Sequence, residues 1–97
     1  MKYKLRLRST AKKEIASIAK WYESQSHGLG SQFLDKVDRT LEMISENPLR
    51  YEAISKRVRR AVMKRFPYLI FYRILEEEVL IVGCRYGGQN PARWRNF

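Results

Sequence analysis

Ninety-seven residues, 44% of them hydrophobic and twelve of them aromatic (two Trp, six Tyr, four Phe), make one small globular domain and exclude a disordered tail. Twenty Lys and Arg against ten Asp and Glu leave a formal charge of +10, a field that gathers acidic partners such as nucleic acid, the ribosome, an anionic membrane or an acidic protein. A single cysteine, Cys84, excludes an internal disulfide and an all-cysteine metal site, and a single histidine, His27, excludes a histidine-rich one, so neither metal nor other cofactor is expected.

From Lys2 to Arg8, basic residues alternate with Tyr3, Leu5 and Leu7, the period of a strand with one buried face. This opening has no apolar leader core, and no later segment has the length of a membrane span, so the expected location is the cytoplasm. Ser9 and Thr10 are candidate N-caps, with Glu14 roughly where a capping-box partner would lie. Ala11, Ile15, Ile18 and Tyr22 then recur at steps of four, three and four, the stripe of an amphipathic helix in which Trp21 and Tyr22 read as packing residues. Gly28 and Gly30 break the pattern, and Ser31 can cap a second helix with its stripe on Phe33 or Leu34, Val37, Leu41 and Ile44. Asn47-Pro48 ends it, and the short connection folds the two helices into an antiparallel hairpin.

The period changes in the second half. Val58 to Arg65 alternates loosely as a strand, Phe66-Pro67 marks a turn, and Tyr68 to Leu75 is a β-rich run. Glu76-Glu77-Glu78 reads as a polar hairpin tip before a last strand from Val79 to Cys84, in which the cysteine reads as a buried thiol. The predicted order is strand, helix, helix and three strands: an α+β domain with the helical hairpin on one face of a small antiparallel sheet. It spans residues 1–97, with 86–97 as a C-terminal tail. Strand parity sends Arg59 and Arg60 to opposite faces and puts Arg59 with Arg65, so an ion pair is expected for Arg60. Tyr68 and Tyr72 share a face with Ile70 and Ile74, which places at least one of them in the core. Charge is uneven as well, since six of the ten residues from Lys56 to Arg65 are basic and none is acidic.

Trp21-Tyr22-Glu23, Gly28-Leu29-Gly30 and Phe33-Leu34 look like the WYE…GLG…FL signature of ParE-type toxins. Asn47-Pro48 with Tyr51, Arg59-Arg60 with Arg65-Phe66-Pro67-Tyr68, and Pro91 with Arg93-Trp94 resemble later segments of the same pattern, in the same order over nearly the whole chain. The chain thus resembles the RelE/ParE superfamily of bacterial type II toxin–antitoxin systems, and its ParE branch more closely. It departs from many relatives after the last strand, where Tyr86 stands in place of a His, and Gly88 and Gln89 in place of arginines.

The resemblance implies one of two activities. RelE-type members cut messenger RNA on the ribosome, which requires cations around one phosphate and a group that moves a proton. Arg59, Arg60, Arg65 and Arg85 would supply the cations if neighbouring strands gather them, and Tyr86 the proton-transfer group; the tyrosine that follows the corresponding arginine in RelE falls on Pro91 here. ParE-type members instead poison DNA gyrase without breaking a bond, and that reading needs a basic surface and a projecting tail: Arg59, Arg65 and Tyr68, with Arg93, Trp94 and Arg95. Either activity implies a cognate antitoxin with an acidic segment that folds on binding, against the helical hairpin or the basic sheet edge. Leu29, Leu49 and Ile54, outside the main stripes, are candidate contacts. Operator DNA would be reached only through that antitoxin, because the chain shows no helix-turn-helix, zinc-finger or RNP motif of its own.

Overall fold

In a computed structural model of the chain, which describes residues 2–88, the opening alternation forms strand β1 (Lys4–Leu7) and the two apolar stripes form helices α1 (Ser9–Gln25) and α2 (Leu29–Glu46). A 3₁₀ turn (Pro48–Arg50) and a two-residue strand β2 (Glu52–Ala53) follow, then β3 (Arg59–Val62), β4 (Tyr68–Leu75) and β5 (Glu78–Tyr86). The five strands form one sheet in the order β1-β5-β4-β3-β2. The α+β architecture agrees with the sequence pattern, but one pairing departs from it: β1 runs parallel to β5, Lys4–Leu7 against Glu78–Ile81. The chain leaves β1 directly into α1, so β1 has no hairpin neighbour, and a strand reached only after helical crossovers can pair in parallel. No helix among the described residues is long and apolar enough to cross a membrane.

Both helices cover one face of the sheet. Ala11, Ile15 and Ala19 from α1 and Phe33, Val37, Leu41 and Ile44 from α2 close on Ala61, Ile70, Tyr72, Val79, Ile81 and Cys84. Tyr72 is fully buried while Tyr68 stays half-buried, and the Tyr72 hydroxyl donates to the Pro48 carbonyl at 2.5 Å. The opposite face carries a second, smaller cluster: Val58, Leu69, Phe71 and Val82, flanked by Ile54 and Leu80. Ile81 and Cys84, an odd number of residues apart, both face the helices. That is achieved by a bulge: Phe71 lies opposite Gly83 and Tyr72 opposite Ile81, which leaves Val82 as the extra residue.

The helix ends differ from the capping pattern expected. Ser9 and Thr10 lie inside α1, whose N-cap is Arg8 with no side-chain hydrogen bond. Ser31 lies inside α2, which starts two residues earlier behind Gly28 at φ 86°. The cap comes from the preceding helix instead. The Glu23 carboxylate accepts from the Gly28 N–H at 3.0 and 3.1 Å and from the Gly30 N–H at 3.0 Å. These two amides, first Gly28 and then Gly30, with His27 beside them, hold the Glu23 carboxyl below its ordinary range. Trp21 also departs from expectation, because it is 55% exposed, with an edge contact to Tyr22.

Close approach fixes Gly30. A Cβ there would lie 2.6 Å from the Ala19 carbonyl oxygen, a backbone atom that cannot swing aside. Gly30→Ala is therefore expected to cost about 2–3 kcal/mol in urea unfolding, more than the roughly 1 kcal/mol of Gly28→Ala, where only the positive φ is at stake. Because the folded-state pKa of Glu23 is depressed, its stabilising contribution is present above the unfolded carboxylate value, about 4.3, and disappears as pH falls through the lower folded value. Glu23→Gln should flatten that acid limb of a stability-versus-pH curve, and an unchanged limb would contradict the assignment.

Candidate functional site

Strand β1 flanks β5 only as far as Ile81, whose carbonyl accepts the Arg8 N–H at 2.9 Å as the chain turns into α1. Beyond that point the outer edge of β5 is taken over by a side chain. Glu14 of α1 accepts the Cys84 N–H on Oε1 at 3.0 Å and the Arg85 Nε–H on Oε2 at 2.6 Å. Glu14 and Arg85 are each only about a quarter exposed, so this is a partly buried, charge-assisted pair. The arrangement has no local signature, because Glu14 and Arg85 are 71 residues apart. In the sequence Glu14 reads as a helix-cap residue; in the fold it is a strand-edge clamp.

The other arginines singled out in the sequence are also engaged, each by a different part of the chain. Arg59 donates from Nη1 to the Tyr51 carbonyl at 2.6 Å and to the Leu49 carbonyl at 3.3 Å. Arg60 pairs with Glu52, its register partner on β2, at 2.6 Å, as the parity argument anticipates. Arg65 is in the turn after β3 at φ 76°, donates to the Gln32 side-chain oxygen at 2.8 Å and stacks near the Phe66 ring. It lies three residues beyond the end of β3 at Val62, so strand parity does not extend to it. Nor do neighbouring strands gather the set. Arg59 stands opposite Tyr72 and Arg85 opposite Leu69, which separates them by two strands and three residues of register, ~10 Å in each direction.

What the fold does bring together is aromatic. Tyr22 lies 4.9 Å from Phe66, 5.5 Å from Phe33 and 6.2 Å from Tyr68 between ring centroids, and Tyr68 lies 5.8 Å from Tyr86. Tyr86 is 46% exposed, and Trp21 extends the patch at the other side of Tyr22. Burial, then the neighbouring Tyr22, Cys84 and Tyr86, push the Tyr68 phenol up; burial, then Tyr86, push Tyr22 up. Both therefore present O–H donors rather than phenolate bases. A Cβ at residue 88 would meet the Tyr86 ring at 2.5 Å, so Gly88 leaves room for the ring position seen here.

The remaining candidates are scattered. Leu29 is partly buried against the main core at the start of α2, while Leu49, 62% exposed, follows the other end of this helix, which is about 27 Å long. Ile54 packs on the second core. Gln89, Pro91, Arg93, Trp94 and Arg95, and with them most of the 86–97 tail, lie outside the described residues. Cys84 is buried, and burial first, then the Glu14 charge, push its thiol up to about 12 despite the opposing effect of Arg85. No group of three or more His, Cys, Asp or Glu among the described residues could hold a metal ion.

Residues 5–91 match the sequence model of the family described as the ParE toxin of the type II toxin–antitoxin system, parDE. A chain of the chromosomal ParDE toxin–antitoxin system from P. aeruginosa superimposes with a TM-score of 0.71, covering 87% of this chain and 95% of that one at 13% identity. The isolated E. coli RelE toxin superimposes with a TM-score of 0.65, covering 97% of this chain and 94% of that one at 15% identity. No curated protein sequence matches. At such identities the two structures establish the fold and nothing finer.

Two measurements check this geometry. Glu14→Ala removes the acceptor of the Cys84 N–H and of the Arg85 Nε–H, and is expected to lower unfolding stability by about 2 kcal/mol. In a double-mutant cycle with Arg85→Ala the two losses should overlap rather than add. Alkylation of Cys84 by iodoacetamide at pH 8 should be at least ~100-fold slower in the folded chain than in urea; equal rates would show the thiol to be accessible.

Proposed function

The chain belongs to the family of ParE toxins of type II toxin–antitoxin systems, and from that membership we propose that it is a cytoplasmic poison of DNA gyrase, neutralised by a cognate antitoxin. The observation that carries this reading over RNA cleavage is the deployment of the arginines. Metal-free cleavage of a phosphodiester needs several cations converging on one phosphate and a proton acceptor beside them. Arg59, Arg60, Arg65 and Arg85 each already serve a different partner, Arg59 and Arg60 from opposite faces of β3, Arg65 from the turn beyond it and Arg85 from β5. Releasing them would take the guanidinium from Glu14 and the Arg59 donor from the Leu49 and Tyr51 carbonyls. Gyrase poisoning makes no such demand, since it needs a shape and a charge rather than a reacting group. Arg65, exposed beside Phe66 and Tyr68, and Arg93, Trp94 and Arg95 in the tail remain the proposed contacts.

For the antitoxin, the scattered positions of Leu29, Leu49 and Ile54 favour a different seat. An apolar groove of about 410 Å³ runs between the helices, lined by Leu7, Ile15, Ala19, Leu34, Val37 and Leu41, with one cation, Lys12, and one acid, Asp38, in its lining. Leu34 is exposed there. An amphipathic segment with apolar anchors and acidic flanks suits such a groove, and the similar ParDE structure contains a toxin with its antitoxin partner.

The deciding experiment is pulse labelling of DNA and protein synthesis after the chain is induced alone in a bacterium. DNA synthesis is expected to fall first, with gyrase–DNA cleavage complexes accumulating. A first fall in protein synthesis would sink the gyrase reading and select ribosome-dependent cleavage of messenger RNA, with Arg59, Arg65, Arg85 and Tyr86 as the residues to test. Leu34→Glu should leave the arrest intact while antitoxin co-expression no longer relieves it.

A further inference from the structure

Strand β3 begins at Arg59, opposite Tyr72, so β4 runs on from Arg73 to Leu75 without a partner on that side. The segment between β2 and β3 folds beside this bare stretch. The Ile54 and Ser55 N–H groups both donate to the Val58 carbonyl, at 2.8 and 3.3 Å, and Ser55 Oγ accepts from the N–H groups of Arg57 and Val58 at 3.3 and 3.1 Å. A cavity of about 290 Å³ lies between them, lined by Lys56, Arg57, Arg59, Arg73 and Ser55 over an aliphatic floor that includes Val58. No Asp or Glu is among the described residues that line it. Arg73 adds a second, independent observation: its Nε is buried and makes no hydrogen bond among the described residues. Buried donors are ordinarily satisfied, so one left open beside a cationic cavity marks a place that is incomplete without an acceptor.

We propose that this cavity is a binding site for a phosphate group. Four cationic side chains from two segments line it, Lys56, Arg57 and Arg59 from one and Arg73 from β4. Arg59 is already held by the Leu49 and Tyr51 carbonyls, and the other three suit a tetrahedral oxyanion with charge on several oxygens better than a single planar carboxylate. Ser55 Oγ already accepts two N–H bonds, so its own hydrogen is left to donate to the same group. The second core holds the loop in place from below through Ile54 and Val58, so the donors are positioned before the ligand arrives. The site stands apart from the gyrase reading: it requires neither that target nor toxicity, and Arg65, Tyr68 and the tail have no part in it. The phosphate can come from a nucleic-acid backbone or from a small phosphorylated molecule.

The test is titration of the ¹⁵N-labelled chain with inorganic phosphate at constant ionic strength, followed through the Ser55–Arg59 amides and the Arg73 Nε–H. A saturable shift is expected, weakened about 10-fold or more by Arg73→Gln and, separately, by Lys56→Gln with Arg57→Gln. The second variant alters only exposed side chains and protects the test against misfolding of the first. Lys13→Gln with Lys20→Gln, which removes equal charge from exposed positions on α1, should leave phosphate binding unchanged. Competition by a single-stranded oligonucleotide would assign the phosphate to a backbone, and its failure to compete would assign it to a small molecule; either keeps the site. Absence of saturation, an equal loss in the hairpin variant, or stronger shifts at the same amides with a glutamate-rich peptide would overturn the proposal, the last in favour of an acidic protein partner.

Discussion

The carboxylate of Glu14 stands where the first strand stops supporting the last one. Strand β1 is only four residues long, and β5 extends past it by five. An open strand edge would leave the Cys84 N–H without a partner and invite another chain to pair with it. Glu14 closes that edge from one turn inside α1, and so sets where the helix lies against the sheet. With that placement Ala11, Ile15 and Ala19 fall on β5, α2 follows through the Glu23–Gly28–Gly30 cap, and the groove between the helices takes its shape. The same carboxylate holds the Arg85 guanidinium, so the constraint that completes the fold also decides what one prominent cation does.

That dual use extends to the other charges. A surplus of twenty basic residues over ten acidic ones suggests a uniformly basic surface, yet several arginines act as internal donors. Arg59 serves the carbonyls of Leu49 and Tyr51, Arg60 binds Glu52 across two strands, and Arg65 ties the turn after β3 to the start of α2. Guanidinium suits this role because it offers five donors in a rigid plane and stays charged. The long-range positive field survives, but the local chemistry at Arg59, Arg60 and Arg65 is spoken for. Steering of an acidic partner and catalysis on a phosphate are therefore separable properties.

Legibility followed the range of the interaction. The helix stripes and the strand run from Tyr68 to Leu75 are local patterns, and they appear in the fold close to where periodicity puts them. The ion pair of Arg60 was readable because it follows from parity within a single strand and from the cost of an unpaired, half-buried charge. Parity fails where the backbone leaves the strand, at the left-handed Arg65 and at the bulge around Val82, and no hydrophobic pattern reports either. Glu14 and Glu23 are the clearest losses. Each looks like an ordinary helix-surface acid, and its role depends on backbone N–H groups brought near by tertiary structure. The second core was hidden for a similar reason, since Ile54 and Val58 cover Phe71 and Val82 only once the loop has folded over the sheet.

The residues that distinguish one activity from another on this scaffold are thus not those that build it. A ParDE chain and the RelE toxin share the fold with this protein at 13% and 15% identity, so a helical hairpin on a five-stranded sheet is compatible with very different surfaces. The hairpin, the Gly30 contact and the β5 edge are matters of packing, and they tolerate wide change elsewhere. Function must then lie in the side chains left over once the scaffold has taken what it needs. In this chain Glu14, Glu23, Arg59, Arg60 and Arg85 are largely consumed by structure. Lys56, Arg57 and Arg73 are not, and they sit at the end of the sheet away from the aromatic patch of Tyr22, Tyr68 and Tyr86. The two surfaces are physically distinct, one aromatic, the other cationic and concave. Two surfaces this different in chemistry can take different partners without competing.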